Sequence, residues 1–177
     1  MSEPTEYLIK KCRKGDPAAQ TRLYRLYAQR LYVTCLRITG KQAEAEEAMQ
    51  DSFLKIFGSI EHYREEQSLE AWMHKIAVHT AIDYVRKHTH EWFELSPTLP
   101  VHQEEEETDE EEIQLTVEKI KEGVKQLPAG YRIILSLYLF EGYDMEEIAT
   151  IMQIQPPSVR SQYLRAKRKL LKIIASN

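Results

Sequence analysis

Residues 144–174 read DMEEIATIMQIQPPSVRSQYLRAKRKLLKII. Asp144 followed three residues later by Glu147 is a capping box: the first carboxylate accepts from the Glu147 amide and the second reaches back to the Asp144 amide. A short helix follows over Met145–Met152, with Ile148, Ala149, Ile151 and Met152 as its buried side. The pattern breaks at Gln153-Ile154-Gln155 and resumes at Pro156-Pro157, where a missing amide is harmless in a first helical turn. In the second helix Val159, Tyr163, Ala166, Leu170 and Ile173 recur at four-and-three spacing and form one apolar stripe. The other faces carry Arg160, Arg165, Lys167, Arg168, Lys169 and Lys172, and no acidic residue follows Glu147. Two helices, a tight turn, a small Ala149 at the crossing and a wholly basic second helix predict a helix-turn-helix.

A plain helical hairpin with a solvated basic face is the alternative, since cations suit a helix C-terminus. Six cations without a carboxylate among them, with Arg160, Ser161 and Gln162 at the start of the helix, favour DNA. Residues in the first turns of such a helix reach base edges, and Lys and Arg further along reach phosphates. Gln153 stands where these turns usually hold Gly, so this turn needs another way to manage its backbone geometry.

A chain of 177 residues holds one or two small domains. No apolar run approaches membrane-spanning length, and Met1-Ser2-Glu3-Pro4 has neither a basic start nor a hydrophobic signal segment, so a cytoplasmic protein without membrane insertion is expected. Cys12 and Cys35 show no CxxC or zinc spacing and read as buried reduced thiols. The net charge of −4 hides a segregation: residues 104–112 hold eight carboxylates and no cation, and removing them turns −4 into +4. That pattern suggests an acidic tether between parts that meet a polyanion.

Along the chain, residues 5–14 form a short helix closed by Gly15, and Asp16 caps a second helix that has Pro17 in its first turn and stops at Gly40. Tyr24, Tyr27 and Tyr32 along it read as packing residues with hydroxyls reaching the surface. A third helix covers roughly residues 43–57, acidic in its first half, in accord with the macrodipole. Residues 58–67 read as a loop. Ser68 caps a fourth helix to about residue 87, with Leu69, Trp72, Met73, Ile76, Thr80 and Tyr84 as its core side and Lys75, His79 and Arg86 on another. Helical pattern disappears from residue 89 to about 112, where Trp92 and Phe93 are expected to dock on a partner or neighbouring domain. It returns over residues 113–126 and again over 131–140, ending at Gly142. The expected fold is all-α: helical domains at 1–90 and 113–177 joined by an acidic, flexible linker at 91–112, the second domain ending in the helix-turn-helix.

These residues resemble the bacterial extracytoplasmic-function sigma factors over nearly the whole chain except the linker. Residues 31–57, LYVTCLRITGKQAEAEEAMQDSFLKIF, look like the family's polymerase-binding helices, including the acid-rich AEEAMQDSF block. Residues 68–87, SLEAWMHKIAVHTAIDYVRK, resemble the helix that melts and reads the −10 promoter element. LPAGYRIILSLYLFEGYDMEEIATIM followed by SVRSQYLRAKRKL resembles the domain that reads the −35 element. The resemblance implies a dissociable specificity subunit of RNA polymerase, with core polymerase and promoter DNA as partners, an anti-sigma factor as regulator, and no cofactor, metal or enzymatic activity. It puts Glu47, Asp51, Phe53 and Lys55 on the polymerase clamp, and Arg64, Lys75, His79, Arg86 and Lys87 on the −10 element, with a base extruded near the loop at 63–68. Ser158, Arg160, Ser161, Gln162, Arg165, Lys167 and Arg168 enter the −35 major groove or grip its phosphates. Three departures bear on promoter choice: His79 lies where the family often has Asn, Gln153 replaces the turn Gly, and Pro156-Pro157-Ser158 replaces a Gly-Thr type entry.

Two rivals differ in class. A helix-turn-helix regulator would bind DNA alone, usually as a dimer on a palindrome, and the block around Asp51 disfavours it. A metal-dependent helical hydrolase would use His79 and Asp83, four apart, with His74 or His62, but no HExxH or paired ExxH set completes such a site.

Overall fold

Asp16 starts the longest helix: its carboxylate accepts from the amides of Ala18 and Ala19 at 2.9 and 3.2 Å, satisfying donors that a first turn leaves unpaired. The computed structural model describes residues 5–64, 66, 68–89 and 116–176, all in helices, turns and short connections. The fold is all-α, and the chain divides into two units, residues 1–87 and 88–177. The expected linker, with Trp92 and Phe93, lies outside the described residues.

The first unit contains α1 (Thr5–Arg13), α2 (Pro17–Thr39), α3 (Gln42–Ser59), a 3₁₀ turn (Ile60–His62) and α4 (Leu69–His88). Gly40 ends α2 at φ 80°, its amide donating to Leu36 O at 2.8 Å. α3 turns Ala45, Ala48 and Ser52 inward beside Met49, Phe53 and Ile56. These small side chains let α2 and α3 approach closely, and Ser52 Oγ, wholly buried, donates to Ala48 O at 2.6 Å. Residues 58–64, in the stretch expected as a loop, are more ordered than their sequence suggests. Gly58 and Ser59 finish α3, and Ile60 and Tyr63 are buried. The Arg13 guanidinium donates to Ile60 O at 3.3 Å and Tyr63 O at 2.7 Å, tying the turn to the end of α1. Ser68 Oγ then caps α4 by accepting from Ala71 N–H at 3.1 Å.

The core side of α4 differs from the expected stripe. Leu69, Met73 and Thr80 are buried as expected, but so are Ala77, Val78, Ala81, Ile82 and Val85. Trp72, Ile76 and Tyr84 are only half-buried. Nearly continuous burial along one broad flank is what a helix of small and β-branched residues achieves when neighbours cover more than a third of it.

The second unit contains α5 (Val117–Lys125), α6 (Ala129–Leu139), α7 (Met145–Met152) and α8 (Pro156–Ala175). Thr116 caps α5 through the Lys119 amide at 3.2 Å. The expected start of this helix at 113 lies outside the described residues. α6 is the central helix, with Ile133, Ile134, Leu135 and Leu137 at 1% exposure or less. Val124, Leu127, Leu135, Ala166, Leu170 and Ile174 close one core in which α5 lies on α8. Gly123 lets them meet: a Cβ there would stand 2.6 Å from Leu170 Cδ1 and 3.3 Å from Ile174 Cγ1.

Candidate nucleic-acid interface

The helix-turn-helix forms by the means its sequence announces. Glu147 N–H donates to Asp144 Oδ1 at 2.8 Å and Asp144 N–H donates to Glu147 Oε2 at 2.9 Å, which completes the capping box. The turn is managed by Gln153 itself, in the left-handed region at φ 55°, ψ 42°. It is the one non-glycine residue with positive φ among the described residues. The amide of Ile154 donates to Ala149 O at 3.0 Å, the long bond of a Schellman close, which offsets part of the steric cost of a left-handed side-chain-bearing residue, about 1–2 kcal/mol.

α8 buries Val159, Gln162, Ala166, Leu170 and Ile174, while Tyr163 and Ile173 pack at the edge. Two members of the expected stripe therefore share the inward position with residues one place along. In this register Gln162, expected on the −35 element, lies inward: it is 4% exposed, and its Oε1 has no hydrogen-bond partner among the described residues. Arg160, Lys167 and Arg168 are exposed, and Ser158, Ser161 and Arg165 are half-buried. One residue that sequence reasoning missed stands among them: Glu146, whose Oε1 is 2.7 Å from Arg160 Nη2. The signal was its place in the first turn of α7, a position that the capping box explains for Glu147 but not for Glu146.

In the first unit Lys75 and His79, one turn apart on α4, line an open depression of about 440 Å³ with Trp72, Ile76, Thr80 and, from the end of α3, Lys55 and Ser59. Lys55, expected on the polymerase surface, therefore shares a site with two residues expected on the −10 element. His79 is exposed at the rim, yet it is pushed below the ordinary imidazole value, first by partial desolvation and then by Lys75, with Arg86 and Lys55 adding and Asp83 opposing. Arg64 and Lys87 are exposed, and Arg86 lies 3.5 Å from Asp83. The face Trp72–Ile76–His79 is legible at three-and-four spacing, but the core-side assignment of Trp72 concealed it.

On α3, Asp51 and Lys55 are exposed, and Glu47 accepts from Tyr84 Oη at 2.7 Å. That bond is the first cause pushing the Tyr84 phenol up to about 12, followed by desolvation and the nearby carboxylates of Glu47, Glu44 and Asp51. Phe53, expected on the polymerase clamp, is 3% exposed and packs against Tyr24 at 4.7 Å and Phe57 at 5.8 Å. Cys12 and Cys35 are buried free thiols, and burial followed by Asp16 pushes Cys12 up, which keeps it protonated and unreactive. Among the described residues no three His, Cys, Asp or Glu side chains converge on a metal position, and no helix is long and apolar enough to cross a membrane.

A basic helix-turn-helix in one helical unit and a cationic depression beside an acid-rich helix in the other suit a two-module DNA-binding protein. Residues 23–91 match sigma-70 region 2, and residues 118–170 match sigma-70 region 4. The chain is 27% identical to the RNA polymerase sigma-H factor of Pseudomonas aeruginosa, over 97% of this chain and 94% of that protein. It is 24% identical to the ECF RNA polymerase sigma factor SigW of Bacillus subtilis, over 93% of each. In fold it is similar to the sigma factor RpoE of Bartonella quintana, solved with the anti-sigma factor NepR, at a TM-score of 0.56 and 19% identity, covering 88% of this chain and 96% of that one. The chain belongs to the extracytoplasmic-function RNA polymerase sigma factors.

Proposed function

We propose that this protein binds core RNA polymerase and directs promoter-specific initiation by reading a −10 element with its first unit and a −35 element with its second. The observation that carries the reading is the presence of both sigma-70 modules, in order, on one chain. A regulator acting without polymerase needs only the second. Exposed Asp51, with Glu47 beside it, is the polymerase contact on α3. Lys75, His79, Arg86, Arg64 and Lys87 serve the −10 element. On α8, Arg160, Arg165, Lys167, Arg168, Ser158 and Ser161 serve the −35 element.

The protein catalyses no reaction; its work is binding. Each DNA grip is weak alone, and two on one chain gain affinity together when their spacing fits the promoter. It acts in the cytoplasm with polymerase, and an anti-sigma factor is its regulator. Run-off transcription with core polymerase from the same bacterium and a set of genomic promoter fragments tests the proposal. Discrete transcripts that require the protein support it, whereas tight DNA binding by the protein alone, without transcripts, returns the regulator.

A further inference from the structure

Tyr84 of α4 donates its phenolic proton to Glu47 Oε2 of α3 at 2.7 Å. Glu47 lies more than two helical turns along α3 from Lys55, so this meeting is outside the depression that Lys55 and Ser59 line. The phenol stays a donor at any working pH, because this bond, desolvation and the nearby carboxylates push it up to about 12. Glu47 is exposed and makes no ion pair with a described residue, and the same holds for Asp51 one turn further on. Glu44, one turn back, differs in being taken by Lys41 at 2.8 Å. Glu47 and Asp51 therefore keep their charge for something outside the chain, and of the two it is Glu47 that a neighbouring helix holds still. A glutamate free in solvent has three side-chain torsions to order before it can meet a cation, and ordering them beforehand removes that cost from binding. With Oε2 occupied by the phenol, Oε1 is the oxygen left for a partner's ammonium or guanidinium.

Resting on the initiation reading above, we propose that Tyr84 is a positioning residue for core-polymerase binding: from α4 it holds Glu47 of α3 in the rotamer that meets a cationic side chain of the polymerase. A residue of the helix assigned to DNA thereby serves the polymerase surface. The effect belongs to the hydroxyl, which reaches the carboxylate, and not to the half-buried ring, which packs in either case. Asp51 makes its contact without this help, so the two carboxylates depend differently on Tyr84.

The experiment measures the affinity of the full chain for core polymerase by fluorescence anisotropy in a double-mutant cycle, with thermal melting of each variant alongside. Tyr84→Phe keeps the ring and removes only the donor. It should lower core affinity about three- to tenfold, the value of one hydrogen bond, and leave the melting temperature where it was. Glu47→Ala should lower core affinity by at least as much. Adding Tyr84→Phe to Glu47→Ala should then cost nothing more, because the hydroxyl acts only through the carboxylate, whereas its loss should multiply with that of Asp51→Ala. A hydroxyl that merely supports the fold gives another pattern: a lower melting temperature, and the same loss of core affinity whether or not Glu47 is present. That pattern overturns the proposal, as does unchanged core affinity in Tyr84→Phe or in Glu47→Ala. Failure of the initiation reading looks different: the wild-type protein then binds no core polymerase at all.

Discussion

Arg160 of α8 and Glu146 of α7 face each other across the helix-turn-helix, with Nη2 and Oε1 2.7 Å apart and both side chains more than 60% exposed. A pair this open contributes only about 0–1 kcal/mol to folding. On the proposed −35 assignment its effect on DNA is larger in consequence, because the carboxylate occupies the guanidinium assigned to a base or phosphate and repels the phosphates themselves. Glu146→Gln is expected to leave thermal stability unchanged and to tighten holoenzyme binding to −35-containing fragments about two- to fivefold at low salt, an advantage that fades above roughly 0.3 M as screening grows. Filter binding across a salt series checks both halves. Weaker binding would mean that Glu146 aims Arg160 instead of competing for it.

The division of labour between the units gives a second prediction. Arg160→Ala or Arg165→Ala should reduce −35-dependent initiation about tenfold, since a side chain at a base edge or phosphate is worth about 1–3 kcal/mol, with core affinity intact. Asp51→Arg should do the reverse: α3 exposes Asp51 beside Glu47, and on the proposed assignment inverting its charge disturbs the polymerase contact and not the DNA. Core affinity by fluorescence anisotropy and transcription from a −35 mutant promoter separate the two. If both mutants lose the same activity, the assignment of surfaces is wrong.

Much of this was legible before any coordinates. Asp16, Gly40, Asp144 with Glu147, and the Pro156-Pro157 entry announce helix boundaries through local chemistry, and the structure uses each of them. What the sequence concealed is rotation about helix axes. At three-and-four spacing, Tyr163 or Gln162 can face the core with almost equal regularity, and only the neighbours α5 and α6 decide which does. Phe53 was hidden in the same way, because an aromatic in a polymerase-binding block reads equally as an anchor or as the packing beneath one. The depression joins α3 to α4, two helices separated by a turn, and no periodicity within one helix shows such a meeting.

His79 makes a pH prediction. Its imidazole is held below the ordinary value of about 6.5, by partial desolvation first and by Lys75 next, against the opposing Asp83. It is neutral at pH 7 and above, and promoter phosphate placed beside it would raise its proton affinity. Binding therefore takes up a proton on the acid side of neutrality, and promoter affinity should rise as pH falls through the range in which the bound imidazole is protonated and the free one is not. His79→Gln should abolish that rise without changing affinity at pH 7.5 by more than about twofold. An equal pH dependence in the variant would assign the effect to another group.

The contact of α5 with α8 predicts a sharp size limit at Gly123. Alanine gains about 1 kcal/mol of helix propensity, and its Cβ would press on the movable end of Leu170 at 2.6 Å and more lightly on Ile174 Cγ1 at 3.3 Å, so Gly123→Ala should be close to neutral. Gly123→Val brings two further methyl groups against Leu170 and Ile174 and should cost about 1–3 kcal/mol through overpacking. Urea unfolding followed by circular dichroism distinguishes them. A large loss in the alanine variant would show that the Leu170 end is locked by its neighbours.

Gln162 offers the last test, because it separates a DNA residue from a core residue at one position. Its Oε1 is buried without a partner among the described residues, an arrangement that costs about 1–3 kcal/mol relative to a satisfied or absent polar group. Gln162→Leu keeps most of the volume and removes the orphan, so it should stabilise the second unit by about 1 kcal/mol while transcription from a −35-dependent promoter stays at the wild-type level. Gln162→Ala instead opens a cavity and should destabilise by a similar amount or more. Loss of promoter use in a stable leucine variant would put the amide back on the DNA face, and with it the register of α8 that turns Val159 and Ala166 inward.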